Sequence, residues 1–171
     1  MIAEIGHFAL ILALVLSVVQ CVLPLVGAAR GIGSWMALAR TAAYANALFL
    51  TISFGTLAYS FYISDFTLLN VASNSNSLLP WFYKVAATWG SHEGSILFWA
   101  LMLTWWGFLV ALTSRKLPQE TVARVLGVMG FITAGFVAFM LFTSNPFLRL
   151  FPAAPEGADL NPLLQDPGMV F

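Results

Sequence analysis

The chain is poor in charge. Of its 171 residues only 8% are Asp, Glu, Lys or Arg, against roughly a quarter in an ordinary water-soluble domain. Seven basic and seven acidic residues cancel, so no net field draws the chain to nucleic acid, and neither a basic cluster nor a glycine-rich phosphate loop is found. Cysteine is scarce as well. Cys21 stands alone, which excludes an internal disulfide and a CxxC redox pair; within its apolar run it reads as a small buried hydrophobe. Ionisable groups are missing from the depths of the apolar runs, where the polar residues are Ser17, Gln20, Asn46, Ser53 and Thr104. Ion-coupled transporters carry ionisable residues at membrane depth and interrupted helices in paired halves. A transporter or channel subunit is therefore the weaker alternative.

What the chain does have is apolar surface. Hydrophobic residues make up 60% of it, more than a soluble core of this size can bury, and the bilayer is the solvent that suits them. A span needs about 20 apolar residues. Four runs qualify, at about Gly6–Val26, Thr41–Ile63, Gly94–Thr113 and Val122–Thr143. The fold expected is all-α and polytopic, a single membrane region over residues 1–171. The first run is not a signal peptide: its one early charge is Glu4, it outlasts a usual h-region, and no A-x-A pattern closes it. Pro24 near its end is tolerable as a terminus or a kink.

Basic residues sort the connections. Arg30 and Arg40 lie between the first two runs, and Arg115, Lys116 and Arg124 between the last two. The other side holds Lys84 and Arg149 among Glu4, Asp65, Glu93, Glu156, Asp159 and Asp166. The positive-inside rule then puts the N-terminus and the long segments 64–93 and 144–171 outside the cytoplasm. In the first of these, "NSNS" (Asn74–Ser77) precedes "LLPWFYKVAATWG". Ser77 is the expected cap of a short interfacial helix with Pro80 near its first turn, and Trp81, Tyr83 and Trp89 suit the headgroup zone. The second segment, with Pro146, Pro152, Pro155, Pro162 and Pro167, reads as turns held by contact rather than a fifth span.

One stretch carries unusual chemistry, "TWGSHEGSILFWALMLTWWG" (Thr88–Gly107). With Ser91 as N-cap, His92 and Glu93 fall in the first turn of the third span. The positive helix end favours Glu93 as an anion and His92 as neutral imidazole. Gly90 and Gly94 let backbone or a flat ligand come close. Glu93 capping the helix and His92 bonding a loop carbonyl explain the pair equally well. One His beside one Glu is no metal site, since zinc takes three or four ligands; His7, the other histidine, falls near the same end of the first span. Trp99 and Trp106, seven apart, share a helix face that suits a porphyrin or quinone ring, or simply lipid and a neighbouring helix.

"VAATWGSHEGSILFW" (Val85–Trp99) resembles a loop signature of the CcmF family, the large membrane subunit of bacterial system I cytochrome c haem lyase. "IGHFAL" (Ile5–Leu10), "DFT" (Asp65–Thr67), "NSNS", "FTSNPF" (Phe142–Phe147) and "DLNPLLQDPGMVF" (Asp159–Phe171) follow in that family's order; the nitrite-reductase assembly homologue NrfE shares the pattern. The resemblance implies an inner-membrane protein with a periplasmic working face. It would take haem from the chaperone CcmE and join it by thioether bonds to CXXCH apocytochrome c, with CcmH and CcmI as partners and a further haem b within the membrane. It also implies a longer protein whose haem ligands lie beyond Phe171. By itself this N-terminal portion is not expected to catalyse; a non-catalytic scaffold for the lyase is the accompanying alternative. No catalytic or metal residue is assigned, and Trp89, Gly90, His92, Glu93, Trp99 and Trp106 are the candidates for a haem- or partner-facing surface.

Overall fold

In hydrocarbon a backbone must satisfy its own N–H and C=O groups, so each apolar run is expected to be helical. The computed structural model describes residues 1–166 and 168, without the Leu163 side chain. Its helices are α1 (Ile2–Arg30), α2 (Gly33–Tyr62), α3 (Leu69–Asn74), α4 (Trp81–Gly90), α5 (His92–Thr113) and α6 (Gln119–Phe142). Four of them, α1, α2, α6 and α5 with its following 3-10 turn to Lys116, are long and apolar enough to cross a membrane. They outrun the apolar stretches: α1 continues past a buried Pro24 to Arg30 rather than ending there, and α2 begins at Gly33. Pro167 and Met169–Phe171, part of the tail read above as turns, lie outside the described residues.

The four long helices pack as a bundle in which α1 touches α2 and α6, and α5 touches α2 and α6. The seam has a seven-residue repeat. On α1 the buried positions include Ala3, Leu10, Ser17 and Pro24, interleaved with Gly6, Ala13, Gln20 and Gly27. On α2, Ala39, Asn46, Ser53 and Ser60 alternate with Ala43, Leu50 and Leu57. A 3.5-residue period of this kind is the signature of left-handed helix packing. The seam is built largely of small residues because lipid offers helices no hydrophobic incentive to associate; close backbone approach and polar contacts hold them instead.

The five polar residues singled out within the runs are all buried. Three of them join one network. Asn46 Nδ2 donates to Gln20 Oε1 at 2.7 Å, Gln20 Nε2 donates to the Leu126 carbonyl at 2.8 Å, and Ser17 Oγ donates to Asn46 Oδ1 at 3.3 Å. Side chains of α1 and α2 are thereby tied to the backbone of α6.

One end of the bundle closes by local signals. Gly31, at φ 68°, ends α1 in the left-handed conformation, and the Ile32 N–H returns to the Gly27 carbonyl at 2.9 Å, the bonding of a Schellman cap. Arg40 caps α5 from the side: its guanidinium donates to the carbonyls of Ala111 at 2.8 Å and Ser114 at 2.9 Å. A cation there also meets the negative end of the helix dipole. At the other end, residues 64–91 and 143–166 fold over the bundle as a cap. Leu68, Val71, Phe147 and Leu160 join Leu10, Leu57, Phe61, Leu97 and Met140 in one continuous core.

Candidate functional site

The cap is assembled by backbone pairing between its two segments. Leu150 N–H donates to the Thr67 carbonyl at 2.8 Å, Leu69 N–H to Leu148 at 2.9 Å, and Ala158 N–H to Ala72 at 2.7 Å. An antiparallel bridge, Leu68 to Arg149, lies between them, and the Phe151–Pro152 peptide is cis. Arg149 ties this junction to the start of α1, pairing with Glu4 and bonding Thr67, with Asp65 at 3.8 Å. Ser77 does not cap α4 as expected. Pro80 occupies the N-cap position, and Ser77 is drawn away to the tail, its N–H and hydroxyl both donating to the Glu156 carboxylate at 2.9 and 2.7 Å. Those bonds, the hydroxyl one foremost, hold the Glu156 pKa below the ordinary carboxylate range. Tyr83, expected in the headgroup zone, donates its hydroxyl to the Gln165 carbonyl at 2.7 Å, while Trp81 stays exposed.

His92 and Glu93 stand at the start of α5, at the edge of this cap, His92 exposed and Glu93 partly buried. Ser91 is the N-cap, its Oγ accepting the Gly94 N–H at 3.1 Å. The glycine at 94 serves the chain itself: a Cβ there would lie 1.6 Å from the Thr88 carbonyl oxygen, so only glycine lets α4 turn this tightly into α5. Gly90 likewise faces the tail, where a Cβ would lie 2.5 Å from Leu164 Cδ1. His92 Nδ1 lies 3.0 Å from Ser144 Oγ, and Asn145 Nδ2 lies 3.3 Å from His7 Nδ1. The two histidines thus flank the Ser144–Asn145 turn from opposite sides. No group of three or more His, Cys, Asp or Glu able to hold a metal occurs among the described residues.

Two cavities open beside that turn. One, of about 300 Å3, is lined by His92, Glu93, Asn70, Ser73, Asn74 and Ser144 among others. The second, of about 320 Å3, lies over Glu4, His7, Phe8, Asn145 and Arg149. The aromatic candidates fall elsewhere. Trp89 is half-buried and tilted against Phe98, with ring centroids 6.3 Å apart. Trp99 and Trp106 are 68% and 62% exposed on the outward face of α5, away from His92's cavity, with Trp99 beside a shallow groove over Phe98 and Met102. Sequence reasoning passed over Asn70, Ser144, Asn145 and Arg149. The Asn-Pro turn signal within "FTSNPF" marks the Ser144–Asn145 pair; nothing local marks Asn70 or Arg149, whose partners are distant in the chain.

The architecture defines a polytopic α-helical membrane protein with an ordered cap at one end of its bundle. Comparison with known proteins goes a step further. Residues 89–171 match the family described as Cytochrome C assembly protein. The chain is 57% identical over 171 residues to the cytochrome c-type biogenesis protein CcmF of Pseudomonas aeruginosa, covering 99% of this chain and 26% of that protein. It is 50% identical to CcmF of Escherichia coli over 100% of this chain and 27% of the relative, and 46% identical to NrfE of Haemophilus influenzae over 100% and 27%. A solved structure named Cytochrome c Heme Lyase CcmF superposes with a TM-score of 0.79 at 27% identity, over 86% of this chain and 25% of that one. The chain belongs to the CcmF family of cytochrome c-type biogenesis proteins, as an N-terminal portion spanning about a quarter of its relatives' length.

Proposed function

We propose that this chain is the N-terminal membrane region of a cytochrome c haem lyase subunit. In that role it helps deliver haem from the chaperone CcmE to the two thiols of a CXXCH apocytochrome c, alongside CcmH and CcmI. Family membership supports the reading, and the observation that carries it is the cap: both long segments and the α1 N-terminus are knitted into one surface around His92, Glu93 and the Ser144–Asn145 turn. The five basic residues at the bundle's other end favour a cytoplasmic position for that end, in the inner membrane of a bacterium. The cap then faces the periplasm, where apocytochrome is met. These residues supply a shaped surface and a rigid support; the haem ligands come from the rest of the protein. Trp89 and Glu93 are the cap's candidates for contact with haem or a partner, and Trp99 and Trp106 for a neighbouring helix or porphyrin.

The test is cytochrome c assembly by the full-length protein carrying His92→Ala together with Glu93→Ala. A fall in covalent haem attachment with unchanged membrane abundance is expected. Full assembly would restrict both residues to a local structural role.

A further inference from the structure

Glu93 is a carboxylate without a cation. Among the described residues its side chain enters no ion pair and no hydrogen bond. The bases at its end of the bundle are engaged elsewhere: Arg149 with Glu4, Thr67 and Asp65, and Lys84 with Ser64 and Ser77. Across the same cavity stands Asn70, only 4% exposed. Its Oδ1 accepts from Asn74 at 3.2 Å, but its Nδ2 has no partner. That nitrogen is closed off from the cavity, so the cavity's polar offer to a ligand is the Glu93 carboxylate, an anion for a cationic group.

Directly along the same helix seam the surface turns apolar. Ile96 follows His92 by one turn of α5, and Phe139 precedes Thr143 by one turn at the end of α6. The His92 and Phe139 rings meet edge to face, with centroids 6.5 Å apart. Beyond them Ile96, Ile132, Gly135, Phe136 and Phe139 line an open groove of about 410 Å3. A polar cavity holding a carboxylate, stacked on an apolar groove between two membrane helices, has the form of a receptacle for an amphiphile.

We propose that this seam binds one aminophospholipid, such as phosphatidylethanolamine. Its ammonium pairs with Glu93, and an acyl chain lies along Ile96, Phe136 and Phe139. The Glu93 charge selects against anionic amphiphiles such as phosphatidylglycerol. The inference rests on α5 and α6 lying in a membrane, not on the lyase reading, and its test reads lipid rather than cytochrome.

The full-length protein, exchanged into mixed phosphatidylethanolamine and phosphatidylglycerol nanodiscs, is released and weighed by native mass spectrometry. Retention of phosphatidylethanolamine about tenfold over phosphatidylglycerol is expected, with Glu93→Gln erasing the preference. A Cβ at Gly135 meets nothing within 4 Å, so Gly135→Leu fills the groove without internal clash and should release lipid of both kinds. Equal retention by the parent protein, an undiminished preference in Glu93→Gln, or haem bound in the lipid's place would each overturn the proposal. Should Gly135→Leu fail to fold, the Glu93→Gln comparison decides alone.

Discussion

At one end of the bundle the chain reverses in a few residues; at the other, two long segments are woven together. The short end is closed by Gly31, by Arg40 on the α5 carbonyls and by Pro118 ahead of α6. Every one of these except the Arg40 bonds acts between near neighbours in the chain. The capped end depends on pairs far apart in sequence, Leu69 with Leu148, Ser77 with Glu156, Glu4 with Arg149. A turn that only reconnects two helices needs local chemistry. A surface that presents residues to other molecules is better held by cross-links that fix its parts relative to one another.

Substitutions can break that contrast in order of severity. Gly94→Ala should be the most damaging: its Cβ would overlap the Thr88 carbonyl, the α4–α5 turn must shift, and about 3 kcal/mol of stability should go. Thermal unfolding of the purified full-length protein would report it, together with new proteolysis within 75–91. Arg40→Ala removes two charge-assisted hydrogen bonds at the opposite end and should cost about 2 kcal/mol, with faster hydrogen exchange confined to residues 111–118. A loss that instead spread into the cap would blur the distinction between the two ends.

Between the ends, Asn46→Leu strips Gln20 and Ser17 of their shared partner. About 1 kcal/mol is expected, in keeping with hydrogen bonds between membrane helices, measured as a shift in unfolding by denaturing detergent. Acidification should give the smallest effect. The folded-state pKa of Glu156 is depressed by the Ser77 bonds, so its contribution is present above the ordinary carboxylate pKa of about 4.3 and fades as pH falls through the depressed value. Hydrogen exchange at Ser77 should rise only in that acid window, and Glu156→Gln should flatten the dependence.

The four long helices were legible because hydrocarbon leaves a run of apolar residues little choice but helix. Ser91 was legible because an N-cap serine ahead of an acidic first turn is a local signal. The seven-residue seam was hidden. Outward-facing residues such as Phe8, Val15 and Val22 are as apolar as the buried ones, so hydrophobicity carries no contrast; the seam shows only as small and polar residues at a regular spacing. Helix ends were harder still, since α1 and α2 continue past their greasiest parts. At the candidate site, His92 and Glu93 were singled out by their chemistry. Gly90 and Gly94 were noted for close approach, and what approaches is the protein's own chain. Ser77 was misassigned because Glu156, far along the sequence, competes for it, and Asn70 is meaningful only once the tail has closed over α3.

We propose that 64–91 and 143–166 form one cap on the side of the membrane away from the cytoplasm, with the Arg-rich turns opposite. The most direct measurement places single cysteines at Ser77, Glu156 and Lys116 of a full-length protein otherwise free of reactive thiols, and exposes spheroplasts to a membrane-impermeant maleimide. Labelling at positions 77 and 156 in intact spheroplasts, with position 116 reacting only after lysis, is the predicted result. Labelling at 116 from outside, or 77 and 156 reacting from opposite sides, would contradict it.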